Sequence, residues 1–304
     1  MKIAFLFAGQ GSQYCGMGKD LYDEFSSYKD IFDNIDCDFD IKDISFNENE
    51  LINNTQYAQP TIVAMSYAIA KLLNENGINP DYVAGLSLGE YTSLAYANVY
   101  TLKDIIKIVS KRGLIMEAAL KNKNTGMRAV LNLDADTINA VISSYSNLCI
   151  ANYNCPGQIV ISGSNEQLDI VEPILKEKGA RKIMPLNVSG AFHSMYLNDA
   201  SLELKEELEK YPINDATLSI ISNTYASEYP SDIVNTLTNH ICSSVKFEQS
   251  IKYMISQGVD TFIEIGPGKA LSSFVRKVDK DLAIYNVNNS ETLRKVIEEL
   301  NNGK

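Results

Sequence analysis

The chain has 304 residues, 45% of them hydrophobic and 21% charged, with a formal net charge of −11. These values describe a globular protein with one large domain, or a large one carrying a smaller insertion. They argue against nucleic acid as a partner, which would need a basic surface, and no run reaches the ~18 consecutive apolar residues of a membrane span. The five cysteines (Cys15, Cys37, Cys149, Cys155 and Cys242) are odd in number and lack C-x-x-C spacing. Neither a disulfide framework nor a metal site is expected, and a reducing cytoplasm fits.

Residues 2–8 read as a buried strand ending at Gly9 rather than as a signal peptide, because the apolar run is short and a Gly/Gln/Ser turn follows. Residues 20–33 predict one or two helices, and 36–54, rich in Asp and Asn, a loop or short helix. Pro60 is expected in the first turn of an apolar helix over 61–73. A short strand at 82–84, a glycine-flanked turn and a helix from Glu90 follow. Residues 101–120 form a long amphipathic helix with an inward stripe of Leu102, Ile106, Val109, Gly113, Met116 and Leu120. Arg112 sits beside that stripe, where periodicity alone favours an arginine whose head snorkels to solvent.

The pattern changes beyond residue 125. Strand 127–133, helix 136–144, strands 148–153 and 158–162, helix 166–178 and strand 182–188 give the β-α-β-β-α-β order of a ferredoxin-like unit. The remainder returns to α/β rhythm, with a helix at 195–210, a strand at 216–222, helices near 231–242 and 248–257, a strand at 261–265, a helix to 277, a strand at 281–287 and a closing helix at 291–300. The expected fold class is α/β, a large α/β-hydrolase-like domain with a parallel sheet (1–125 and 190–304) plus an inserted ferredoxin-like subdomain (126–189).

Gly85-Leu-Ser-Leu-Gly89 is the G-x-S-x-G pattern in a strand–turn–helix setting, which makes Ser87 a candidate nucleophile. The alternative is a glycine-flanked serine capping a helix. A serine nucleophile needs a base, and the chain has two histidines. His193 lies just past a strand at the junction of the two units. His240 falls inside a helix and reads as an ordinary surface or packing histidine. For an oxyanion hole, the N–H of Leu88 is a candidate by position, and the glycine-rich turn over residues 8–12 could supply a second donor.

Gly9-Gln-Gly-Ser-Gln13, Gly85-Leu-Ser-Leu-Gly-Glu90, Arg112 with Met116, Asn152-Tyr-Asn-Cys-Pro-Gly-Gln158, Gly190-Ala-Phe-His193 and Glu264-Ile-Gly-Pro-Gly268 occur in register over almost the whole chain. In this order they resemble the malonyl-CoA:acyl carrier protein transacylases, a family that includes the acyltransferase domains of polyketide synthases. The resemblance implies that Ser87 attacks the malonyl thioester, His193 takes its proton, and the N–H groups of Gln10 and Leu88 hold the oxyanion. It implies further that Arg112 receives the free carboxylate as a bidentate pair, with Met116 and Phe192 beside the acyl group. The backbone carbonyl of Lys246 would orient His193.

Ala191-Phe-His193 resembles the malonyl-selective form, although Gly190 stands where the polyketide-domain pattern carries histidine. The implied partners are malonyl-CoA and acyl carrier protein, with no nucleic acid and no membrane, for a cytoplasmic monomer. No cofactor is expected beyond the coenzyme A thioester and the carrier's phosphopantetheine. Arg181, Lys182, Lys269, Arg276 and Lys277 are candidates for a local basic docking surface. A serine thioesterase or hydrolase, a polyketide-pathway acyltransferase and a non-catalytic carrier-binding protein remain as alternatives.

Overall fold

The computed structural model describes residues 1–302. In chain order, strand β1 (Ile3–Phe7) leads to helices α1 (Lys19–Glu24), α2 (Ser26–Asp33), α3 (Ile41–Phe46) and α4 (Thr55–Glu75). Strand β2 (Tyr82–Gly85) is followed by helices α5 (Gly89–Tyr96) and α6 (Leu102–Leu120). Next come β3 (Thr125–Leu131), α7 (Ala135–Ile142), β4 (Leu148–Cys155), β5 (Gln158–Ser164), α8 (Asn165–Glu177) and β6 (Lys182–Pro185). The chain then runs through α9 (Asn198–Leu208), β7 (Ser219–Ile220), α10 (Ile233–His240), α11 (Phe247–Ser256), β8 (Thr261–Ile265), α12 (Ala270–Val278), β9 (Ala283–Val287) and α13 (Ser290–Asn302).

Two sheets result. Five parallel strands pair in the order β7-β2-β1-β8-β9, and four antiparallel strands in the order β4-β5-β3-β6. Strands β1, β2 and β8 are buried along their whole length. Their near-continuous apolar runs are what a central parallel strand covered on both faces requires. The antiparallel sheet packs α7 and α8 over its own cluster of Val130, Ile138, Ile150, Ile161, Leu168 and Val171. Strand β4 is joined to the segment before α11 where Tyr153 N–H donates to the Val245 carbonyl at 2.8 Å and Val245 N–H to that of Ala151 at 2.8 Å.

Three expectations are corrected. Helix α4 begins at Thr55, so Pro60 is interior to it rather than in its first turn. The apolar run starts at Pro60, but Thr55 and Gln59 are buried as well, because they bond the Gln10 side chain. The loss of one backbone bond at the proline is tolerated there. The expected strand over 216–222 shortens to Ser219–Ile220, since Thr217 bonds back to Ala97 and Ile221, whose N–H still donates to the Val83 carbonyl, bridges Glu228. The helix expected from 195 begins at Asn198, behind a single 3-10 turn at Met195–Leu197 whose start is capped by the Ser194 side chain.

Parallel strands align their carboxyl ends on one edge of a sheet, where loops converge. Gln10 follows β1, Ser87 follows β2 and Asn223 follows β7.

Candidate active site

Ser87 occupies the turn from β2 into α5 at φ 52, a left-handed conformation that costs a non-glycine residue on the order of 1 kcal/mol or more. The flanking glycines are steric necessities. A Cβ on Gly85 would lie 1.9 Å from the Gly89 carbonyl carbon, and one on Gly89 would lie 2.1 Å from the Phe7 carbonyl oxygen. The turn is also held from outside: the Asn223 Oδ1 accepts the Ser87 N–H at 2.7 Å, and its Nδ2 donates to the Gly85 carbonyl at 2.6 Å.

The Ser87 Oγ lies 2.7 Å from the His193 Nε2. On the other side of the ring, Nδ1 is 3.0 Å from the His240 carbonyl and 3.1 Å from that of Ser243. Carbonyls only accept, so Nδ1 carries the proton and Nε2 presents its lone pair to the serine. Burial, reinforced by the charge of Arg112, lowers the His193 pKa to about 4. The imidazole is therefore neutral at pH 7, the form a general base requires.

Lys246 is not the acceptor. Its carbonyl receives the Ser250 N–H at 3.0 Å and the Ser250 Oγ at 2.9 Å, closing the first turn of α11. The carbonyl of a residue just before a helix points along the helix, so the acceptors lie earlier in the chain, at His240, which ends α10, and at Ser243 in the turn that follows it.

Arg112 is only 2% exposed, which overturns the snorkelling reading. Its Nη2 donates to Ser87 Oγ at 3.4 Å, its guanidinium lies 5.0 Å over the Tyr91 ring, and its Nε has no partner among the described residues. Taking a cation out of water costs several kcal/mol, and a desolvated cation–π contact returns about 2. Burial lowers the Arg112 pKa, with Tyr91 and Glu90 acting in the opposite sense. The balance and the orphaned Nε donor both fit an incoming carboxylate.

The N–H groups of Gln10 and Leu88 form no hydrogen bond among the described residues, and both residues line the cleft that contains Ser87. The loop carrying Gln10 approaches the serine turn so closely that a Cβ on Gly9 would meet the Leu86 carbonyl oxygen at 2.4 Å. The Gln10 side chain is tethered by Thr55 and Gln59 of α4, each at 3.3 Å. Met116, Phe192, Met127 and Val160 give the cleft its apolar wall, and Asn152 and Asn154 add amide groups.

The acyl transferase domain model matches residues 4–298. The malonyl CoA-acyl carrier protein transacylase of Bacillus subtilis is 42% identical over 98% of this chain and 97% of its own length. The chain belongs to the malonyl-CoA:acyl carrier protein transacylase family. It is an acyltransferase. The crystal structure of the Clostridium perfringens transacylase superposes with a TM-score of 0.96 at 39% identity, covering 99% of this chain and 98% of that one. A malonyl-transacylase in complex with its type II PKS acyl carrier protein gives a TM-score of 0.95 at 28% identity, covering 98% of this chain and 100% of that one.

Of the six motifs that carry the transacylase resemblance, Glu264–Gly268 stands apart from the cleft. The Glu264 carboxylate accepts the N–H groups of Leu271 and Ser272 at 3.0 and 2.8 Å, capping α12. Gly268 lets that turn pack on Ser12, since a Cβ there would lie 2.8 Å from the Ser12 Cβ. Gly190, the departure from the polyketide-domain pattern, has no room for a histidine: a Cβ would meet Thr125 Oγ1 at 2.9 Å and Leu120 Cβ at 3.0 Å.

Sequence reasoning missed Asn223, Ser243, Thr55 and Gln59, and misjudged His240. That histidine is fully buried, with its ring 5.3 Å from the His193 ring, and its contribution is a main-chain carbonyl. Every residue has such a carbonyl, so no residue type could signal it. Asn223 was reachable, because it follows a strand pairing directly with β2.

Proposed function

We propose that this chain transfers malonyl from malonyl-CoA to the phosphopantetheine thiol of an acyl carrier protein, supplying fatty acid biosynthesis. The observation that carries the reading is a buried arginine with an unpartnered Nε, 3.4 Å from a serine that is hydrogen-bonded to a neutral histidine. A plain hydrolase has no use for a guanidinium at that distance from its nucleophile.

The reaction runs in two halves. In the first, Ser87 Oγ attacks the malonyl carbonyl carbon while its proton moves to His193 Nε2. The carbonyl oxygen becomes an oxyanion facing the N–H groups of Gln10 and Leu88. Each such donor is worth about 2.7–4 kcal/mol of barrier. The C–S bond then breaks, the coenzyme A sulfur takes the proton back from Nε2, and a malonyl-serine ester remains.

In the second half the carrier's thiol gives its proton to Nε2 and attacks the ester, and Ser87 leaves with that proton. Arg112 holds the malonyl carboxylate as a bidentate pair throughout, and Met116 and Phe192 enclose the methylene. All the proton transfers run through His193, so the scheme calls for no cofactor besides the coenzyme A and carrier thiols.

We further read residues 1–125 and 190–304 as an α/β-hydrolase-like domain and 126–189 as a ferredoxin-like insertion. The serine turn between β2 and α5 and the strand order β4-β5-β3-β6 support that division. No described helix is long and apolar enough to cross a membrane. We take the enzyme to act as a monomer in the cytoplasm, meeting an acidic carrier at Arg181, Lys182, Lys269, Arg276 and Lys277. These five are exposed and have no ion-pair partner among the described residues.

Release of coenzyme A from malonyl-CoA, followed with and without a phosphopantetheinylated carrier protein, tests the reading. Transfer predicts release that depends on the carrier after one turnover. Equal turnover without the carrier would make the chain a thioesterase.

A further inference from the structure

We infer that Asn223 is a positioning residue for this reaction, holding the nucleophile turn and the histidine's supporting loop in one frame. This rests on the acyl transfer proposed above. Asn223 is fully buried and uses four groups at once. Its Oδ1 accepts from Ser87 N–H at 2.7 Å, its Nδ2 donates to the Gly85 carbonyl at 2.6 Å, its N–H donates to the Glu90 Oε2 at 2.8 Å, and its carbonyl accepts the Lys246 N–H at 2.9 Å.

The amide orientation is forced. The Ser87 N–H can only donate and the Gly85 carbonyl can only accept, so Oδ1 and Nδ2 cannot exchange places. The two side-chain bonds bracket the left-handed Ser87, the residue that an unbraced turn would let relax.

The main-chain bonds reach the other half of the site. Lys246 ends the segment that runs from His240, the last residue of α10, through Ser243, and the carbonyls of those two residues hold His193 Nδ1. Glu90, in the first turn of α5, fixes Asn223 against the helix that starts at the nucleophile. Ser87 and His193 are 106 residues apart, and Asn223 ties the turn of one to the loop orienting the other.

Two variants test the role. Asn223→Ala removes both side-chain bonds, and the expected result is a kcat for malonyl transfer lower by about 100-fold, with KM for malonyl-CoA little changed. Asn223→Asp separates positioning from folding. Protonated, the new carboxyl can donate to the Gly85 carbonyl as the amide does; ionised, it sets two acceptors face to face. Glu90, whose Oε2 accepts the Asn223 N–H and whose pKa burial raises to about 7, further disfavours the ionised form where it is itself charged. Wild type shares that titration, which is why the ratio to wild type is the quantity read.

The activity of Asn223→Asp relative to wild type should therefore rise as pH is lowered from about 8 to about 5. A folded Asn223→Ala with wild-type kcat would overturn the inference. So would an Asn223→Asp to wild-type ratio that is flat across that pH range, and this ratio decides the matter if Asn223→Ala does not fold. Failure of the wild-type chain to transfer malonyl would instead count against the function itself.

Discussion

Arg112 Nη2 stands 3.4 Å from Ser87 Oγ, in a position from which one residue can hold an acyl group's tail while the other holds its carbonyl carbon. A short acyl chain ending in a carboxylate can span that gap. Hydrogen bonds to a charged group are worth about 1.5–3 kcal/mol each. Losing a bidentate pair should therefore lower kcat/KM for malonyl-CoA by roughly 100-fold or more. Arg112→Lys keeps the charge but not the fork, and is expected to recover only part of the loss. Steady-state kinetics of Arg112→Ala and Arg112→Lys check this.

The pH profile follows from His193. Its neutral form is the base and its pKa is lowered to about 4, so kcat/KM should stay level as pH falls through the usual histidine range near 6.5 and decline only toward 4. Part of the lowering comes from Arg112, so removing that charge moves the acidic limb upward. A wild-type limb centred near 6.5 would contradict the buried, neutral imidazole.

Phe192 lines the cleft that contains Ser87 and is 7% exposed. Trimming it to serine should ease entry of an α-methyl branch, narrowing the preference for malonyl-CoA over methylmalonyl-CoA by the roughly 1–3 kcal/mol a methyl group is worth in such a pocket. Competition between the two thioesters, read by mass spectrometry of the acylated enzyme, measures the ratio.

Gly89→Ala places a Cβ 2.1 Å from the Phe7 carbonyl oxygen, a backbone atom that no rotamer change can move. The cost should reach the upper end of the roughly 1–3 kcal/mol range for overpacking, or exceed it, and a thermal melt would show the lowered Tm. Lys246→Ala, by contrast, leaves the carbonyls of His240 and Ser243 in place, and kcat should be unchanged.

The sequence made the architecture legible wherever period and burial agree. The buried run of β8 is legible to the residue, and so is the β-α-β-β-α-β order of the smaller sheet, where Gly157 marks the turn between β4 and β5 and Gly179 the one between α8 and β6. Ser87 and His193 were legible because few residues can do their chemistry. Arg112 was ambiguous by periodicity, since a residue at the margin of an apolar stripe can face a cleft or solvent equally well. The acceptors for His193 and the brace from Asn223 were hidden, the first being main-chain atoms and the second lying 136 residues from the turn it holds. The start of α4 was misplaced because Thr55 and Gln59 are polar yet buried against Gln10.

Intact-mass measurement after brief mixing with malonyl-CoA, and separately with acetyl-CoA, tests the central claim most directly. The account predicts a malonyl adduct on the wild-type enzyme that is absent from Ser87→Ala and nearly absent from Arg112→Ala, with little acetyl adduct on any of them. Equal loading by acetyl-CoA, or malonyl loading undiminished in Arg112→Ala, would contradict it.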